Sequence, residues 1–170
     1  MQANGQQLYY EVHGNGAPLL LIMGIGYDSS LWTLAQLPAL STQFRVVLVD
    51  NRDAGRSSKA SHPYSIADMA DDIAGLLDAL GIQKTHLLGL SMGGMIALEF
   101  ALRHEDRLDR LVLAGTGAAP ARSAVDPIQI WSWVKANDAT GKVFGGQQLT
   151  SLFSTAFLRN HEAVKDTTAL

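Results

Sequence analysis

The stretch that most limits what this chain can fold into is Leu87-Leu88-Gly89-Leu90-Ser91-Met92-Gly93-Gly94. It fits the pattern G-x-S-x-G with a strand signal before it and a helix signal after it. Thr85 to Leu90 is a short, mostly apolar run of buried-strand length, and Gly93 to Leu102 is rich in helix formers. A serine between two such elements sits on a tight turn, its backbone strained and its hydroxyl projecting. Small neighbours let a substrate and the adjacent backbone come close. The first N–H groups of the following helix point back at the serine and can stabilise negative charge on a substrate oxygen. That is the geometry of an activated nucleophile, Ser91. The plainer alternative is a glycine-rich turn carrying an idle serine.

The segments upstream alternate in the same way. Asn4-Gly5 is a two-residue hairpin signal joining a strand stub, Met1 to Ala3, to Gln7–His13. Pro18 to Met23 is apolar throughout, as expected of a strand buried on both faces. Ser30 to Leu40 reads as a short helix, and Arg45 to Asp50 as the next strand. Ser65 caps a further helix, with Asp68 in a capping-box position. Ile66, Met69, Ala70, Ile73, Leu77 and Leu80 form one apolar stripe of that helix, and Gly81 stops it. A last strand spans Asp109 to Ala114. Strand–helix alternation predicts an α/β fold: a mainly parallel sheet with helices on both faces, plus an antiparallel edge from the hairpin.

From about Gly115 the pattern changes, so the chain divides into a core, residues 1–116, and the start of a helical lid or cap, residues 117–170. Gly117 to Ser123 looks like a flexible connection. Asp126-Pro127 can start a helix with Ile128, Trp131 and Val134 on one side, and Leu149, Leu152, Phe153, Ala156 and Phe157 form a second stripe. The stripes pack on the core or lie over the serine, where apolar helices exclude water.

Composition removes several function classes. A net charge of -3 over 170 residues gives no basic footprint for nucleic acid. No run is long and apolar enough to span a bilayer, and the opening residues show neither a basic n-region nor an apolar h-region. The absence of cysteine excludes disulfides, thiolate metal sites and a cysteine nucleophile, and it fits a cytoplasmic location. The five histidines show no metal-ligand spacing, so no metal is expected, and no cofactor is expected either. The oligomeric state is left open.

Four features together resemble the α/β-hydrolase fold family. They are the Gly89–Gly94 turn, the apolar strand running into Met23-Gly24-Ile25-Gly26, the loop Asp50-Asn51-Arg52-Asp53-Ala54-Gly55-Arg56-Ser57, and the amphipathic helix leading into the Ser91 strand. The wording around Ser91 is similar to enol-lactonases, methyl esterases and arylesterases. The resemblance covers Leu8 to about Thr116. It implies Ser91 as nucleophile and the backbone N–H groups of Met92 and Ile25 as oxyanion donors. Met23 replaces the family's usual histidine, and Asp53 stands where glycine is usual. It further implies that Arg52 and Ser57 are loop scaffold. The expected activity is hydrolysis of a small ester or lactone through an acyl-enzyme.

A serine hydroxyl needs a base and an acid that orients it. The family order is serine, acid, histidine, which places both partners beyond Leu170. The chain is then expected to be incomplete, weakly active or inactive by itself. Within it, His13, His62 and His86 read as surface or packing residues, and His104 lies too far along its helix. His161 and Asp126 are the downstream stand-ins. Two alternatives remain: a non-catalytic, truncated hydrolase fragment, and a dinucleotide-binding domain suggested by Gly24-Ile25-Gly26, Ser29 and Asp50.

Overall fold

The computed structural model describes residues 1–117, which lie in one compact unit. The chain begins with a hairpin, β1 (Gln2–Ala3) and β2 (Gln6–Gln7), turned by Asn4 and Gly5 at φ +45° and +73°. Positive φ at both turn residues is what Asn-Gly is suited to. The main sheet contains β3 (Tyr10–His13), β4 (Ala17–Ile22), β5 (Phe44–Val49), β6 (Thr85–Leu90) and β7 (Leu108–Ala114). Their order is β3-β5-β4-β6-β7, with β3 antiparallel to β5 and every other pairing parallel.

The antiparallel edge is therefore β3 and not the hairpin, which forms a separate two-stranded sheet. The run from Gln7 to His13 reads as one strand but is broken at Leu8 and Tyr9. Leu8 donates to the Met1 carbonyl at 2.7 Å, whereas the Tyr9 carbonyl accepts from Asp50 N–H at 3.0 Å. One residue closes the hairpin and the next joins the main sheet.

Helices cover both faces. Leu19, Leu21, Met23, Val46 and Leu48 share one face by strand alternation. They pack with Trp32, from the 3₁₀ turn Ser29–Leu34, and with Leu37 and Leu40 of α1 (Gln36–Leu40). The single helix expected over Ser30 to Leu40 is broken at Ala35, where φ is -141°. Pro38 is tolerated because it lies in the first turn of α1, where N–H groups have no helical partner.

The opposite face meets α2 (Ile66–Ala79) and α3 (Met92–Arg103). Leu20, Ile22, Val47, Leu76, Leu77, Ile96 and Phe100 are sealed from solvent there. Burying each such side chain contributes about 1.5–3 kcal/mol. The Ser65–Asp68 capping box is complete at the start of α2. At its end Gly81, φ +67°, donates to the Asp78 carbonyl at 3.0 Å and Ile82 to the Leu77 carbonyl at 2.9 Å, a Schellman closure. Among the described residues no helix is long and apolar enough to cross a membrane.

This topology fixes where a site can form. From β4 the chain steps outward to β5, then crosses back so that β6 lies on the other side of β4. The β4–β6 boundary is the switch point of the sheet, and loops leaving the C-terminal ends of those two strands diverge to open a crevice.

Candidate active site

Both loops at that switch point carry residues singled out in the sequence. Ser91 follows β6 directly and has φ +55° and ψ -120°, a conformation that costs a non-glycine residue on the order of 1–3 kcal/mol. Three backbone bonds fix it. Ser91 N–H donates to the Ala114 carbonyl of β7 at 2.9 Å, and the Ser91 carbonyl accepts from Gly94 at 2.9 Å and Met95 at 3.3 Å. The side chain is left exposed, with no hydrogen-bond partner among the described residues.

Glycines make the turn sterically possible. A Cβ on Gly93 would run into the Ile22 and Met23 carbonyls, and one on Gly89 would strike the Gly93 backbone. A Cβ on Gly94 would collide with the side chain of Thr116. The helix α3 thus enters pressed against the ends of β4 and β7, a closeness no side chain permits.

The second loop, Met23 to Asp28, leaves β4 and lies against Ser91. A Cβ built on Gly24 would stand 3.2 Å from Ser91 Cβ and 3.7 Å from its Oγ. Ile25 is the next residue. Neither its N–H nor that of Met92 donates to an acceptor among the described residues. For Met92 this follows from its place in the first turn of α3. The structure thus brings Ser91, Met92 and the start of the Ile25 loop to one place.

The Asp50–Ser57 loop braces this arrangement from β5. Asp50 is fully buried. Its Oδ1 accepts from Ser29 N–H at 2.9 Å and Ser29 Oγ at 2.5 Å, and its Oδ2 from Arg56 N–H at 2.9 Å. Burial opposes ionisation of this carboxyl, but the bonds from Arg56 and Ser29 outweigh it and hold Asp50 below the usual carboxylate range. Asn51 donates to the Met23 carbonyl at 2.9 Å. Gly55, φ +47°, is the residue that leaves room for the Asp50 carboxylate. Asp53 adopts φ +69°, its oxygens accepting from Ala60 N–H at 3.0 Å and Tyr64 Oη at 2.8 Å.

Arg52 and Ser57 hold structure, by different means. Ser57 Oγ donates to the Asp50 carbonyl at 2.6 Å and accepts from Tyr9 N–H at 2.9 Å, a link from this loop to β3. Arg52 reaches much farther than a loop scaffold needs. It grips Asp72 of α2 through Nε and Nη2, each at 2.6 Å, with both side chains buried. Burial pushes the Asp72 carboxyl up, and the Arg52 bonds offset part of that.

Three of the four described histidines stand away from the crevice. His13 pairs with Glu11 at 2.8 Å, His86 lies 3.4 Å from Asp109, and His104 pairs with Asp71 at 3.0 Å. His13 and His86 sit where β5 and β6 begin, and His104 caps the far end of α3; Ser91 lies at the opposite, C-terminal end of β6. His62 is exposed, in the loop between β5 and α2. Asp126, His161 and the two apolar stripes lie outside the described residues. No cluster of three potential metal ligands occurs among the described residues.

The dinucleotide reading fails on geometry. Asp50, the would-be ribose partner, is sealed and already engaged by Ser29 and Arg56. A 3₁₀ turn, not an α-helix, follows the Gly24 loop, and Gly24 faces Ser91.

Known proteins agree with this architecture. The alpha/beta hydrolase fold family model matches residues 17–165, and the chain belongs to that family. A protein of Caulobacter sp. strain K31, named as a carbamate hydrolase (RutD), is 42% identical over 118 residues, covering 66% of this chain and 44% of that protein. A hydrolase from Pseudomonas aeruginosa PA01 superposes with a TM-score of 0.83 at 34% identity, over 98% of this chain and 62% of that one. The enol-lactonase from Burkholderia xenovorans LB400 gives a TM-score of 0.81 at 32% identity, over 95% and 62% respectively. The chain thus spans less than half the length of the curated relative.

Proposed function

We propose that this member of the α/β-hydrolase fold family is a serine hydrolase of small esters or lactones, with Ser91 as its nucleophile. One observation carries the reading: an exposed serine at φ +55° between β6 and α3, followed by the uncommitted N–H of Met92 and packed against Gly24, the residue before Ile25. Strain of this kind persists only where the surroundings enforce it, and here three hydrogen bonds and three glycines do so. The carbamate and the enol-lactone named for the relatives share a carbonyl bearing a heteroatom leaving group, which is what such a serine attacks.

In the proposed reaction Ser91 Oγ adds to the carbonyl carbon as its proton passes to a base. The oxygen becomes an oxyanion held by the Met92 and Ile25 amides. Collapse expels the alkoxide or enolate, which takes the proton back, and water then cleaves the acyl-enzyme by the same route. No described histidine is hydrogen-bonded to Ser91, and the proposed base lies outside residues 1–117. The lack of cysteine suits work in a reducing cytoplasm.

The test compares hydrolysis of p-nitrophenyl acetate by the 170-residue chain and by Ser91→Ala, each with and without added imidazole as a surrogate base. Turnover that depends on Ser91, intrinsic or restored by imidazole, is the expected result. Equal rates for both proteins under both conditions would overturn the proposal and leave a non-catalytic fold.

A further inference from the structure

We infer that Asn51 is a positioning residue that aims the Ile25 amide at the oxyanion; this rests on the role proposed for Ser91. Asn51 is 5% exposed and follows the end of β5. Its Nδ2 donates to the Met23 carbonyl, 2.9 Å away, at the point where the chain leaves β4. Met23 is itself 3% exposed, so no water competes for that carbonyl.

The bond acts on a peptide plane whose direction matters. The Met23 carbonyl belongs to the peptide that leads into Gly24, and Gly24 is the residue pressed against Ser91. Because the peptide unit is planar, fixing its carbonyl fixes where Gly24 N–H points and the direction of the Gly24 N–Cα bond, from which the peptide bearing Ile25 N–H continues. A flip of the Met23–Gly24 peptide would pull the carbonyl from Asn51 and strand both groups in the interior. Losing that tie also frees rotation at Gly24, the residue that sets how the Ile25 amide is turned. Asn51 therefore fixes the entry of the loop from which the Ile25 amide is aimed.

The far end of the same loop is tied down by the neighbouring residue. Asp50 receives Ser29 N–H at 2.9 Å and Ser29 Oγ at 2.5 Å. Two consecutive side chains at the end of β5 thus clamp the Met23–Ser29 segment at its start and its end. Between the clamps only Gly26, at φ +80°, takes a conformation that favours glycine. Asn51 also supplies a fixed point on a loop that has Met23, an apolar side chain without a hydrogen bond of its own, at its first position.

The experiment uses phenylboronic acid, which adds to a serine hydroxyl to give a tetrahedral anion, and follows the amide NMR signals of Ile25 and Met92. In the native chain both signals are expected to shift on addition. In Asn51→Leu, similar in size but without a donor, the boronate is expected to bind at least tenfold more weakly and to shift Met92 but not Ile25. Loss of one oxyanion donor typically costs on the order of 10²–10³ in rate, and a misaimed donor falls between that and none. Asn51→Asp, which places a carboxylate against the Met23 carbonyl, gives the same readout if the leucine variant does not fold. Equal affinity with both signals shifting in the variants overturns the role of Asn51 while leaving that of Ser91 intact. Neither signal shifting in the native chain overturns the nucleophile itself, and the inference with it.

Discussion

At the scale of single residues, the strain at Ser91 and the burial of Asp50 both leave measurable signatures. Ser91 holds φ +55°, which glycine adopts without penalty. Ser91→Gly is therefore expected to raise the unfolding free energy by about 1 kcal/mol, whereas Ser91→Ala keeps the strain and gains nothing comparable. Urea unfolding of the three proteins checks this. For Asp50 the bonds from Arg56 and Ser29 hold the folded-state carboxyl below its unfolded value despite burial. A depressed carboxylate contributes stability above its unfolded pKa, about 4, and loses it as pH falls through the lower folded value. Denaturant midpoints are expected to hold near neutral pH and fall on the acid side of pH 4. Asp50→Asn is expected to be less stable at neutral pH and flatter through the acid range.

Elements are held together mainly by apolar burial, with a few polar ties between them. The Arg52–Asp72 pair joins the β5 loop to α2, both side chains less than a tenth exposed. Removing one partner leaves the other charge buried, so Arg52→Leu or Asp72→Asn is expected to cost about 3–5 kcal/mol. By contrast Ser65→Ala, which opens the exposed capping box of α2, is expected to cost about 1 kcal/mol. Thermal denaturation of both sets separates the two magnitudes. The capping box was legible in the sequence because its partners are three residues apart. So were β4 and β6, whose apolar runs match burial on both faces, and the turn at Ser91, whose glycines are adjacent. The Arg52–Asp72 tie was not legible. Its partners are brought together only when α2 lies down beside β5, and Arg52 alone reads as a loop residue bonding nearby backbone. Asn51 was hidden for a similar reason: its acceptor, Met23, is a neighbour across the sheet and not along the chain. The split of Gln7–His13 into two strands likewise depends on Asp50 bonding Tyr9, which no local pattern announces.

For the molecule as a whole, strand order decides where chemistry can happen. The chain runs β4, β5 and then β6 on the other side of β4, so the loops after β4 and β6 become neighbours. Each is unremarkable alone; together they set a strained serine against a backbone turn with free donors. The glycines at 89, 93 and 94 let α3 pack close enough to complete this. Gly93→Ala is expected to disturb the turn even if the sheet survives, because the added carbon meets backbone carbonyls that cannot move alone. The most direct measurement is peptide mass mapping after the chain has been mixed with p-nitrophenyl acetate and imidazole and quenched in acid. An acetyl group on the peptide containing Ser91, absent from Ser91→Ala, is the predicted result. Acetylation confined to other residues, or equal at that peptide in both proteins, would contradict it.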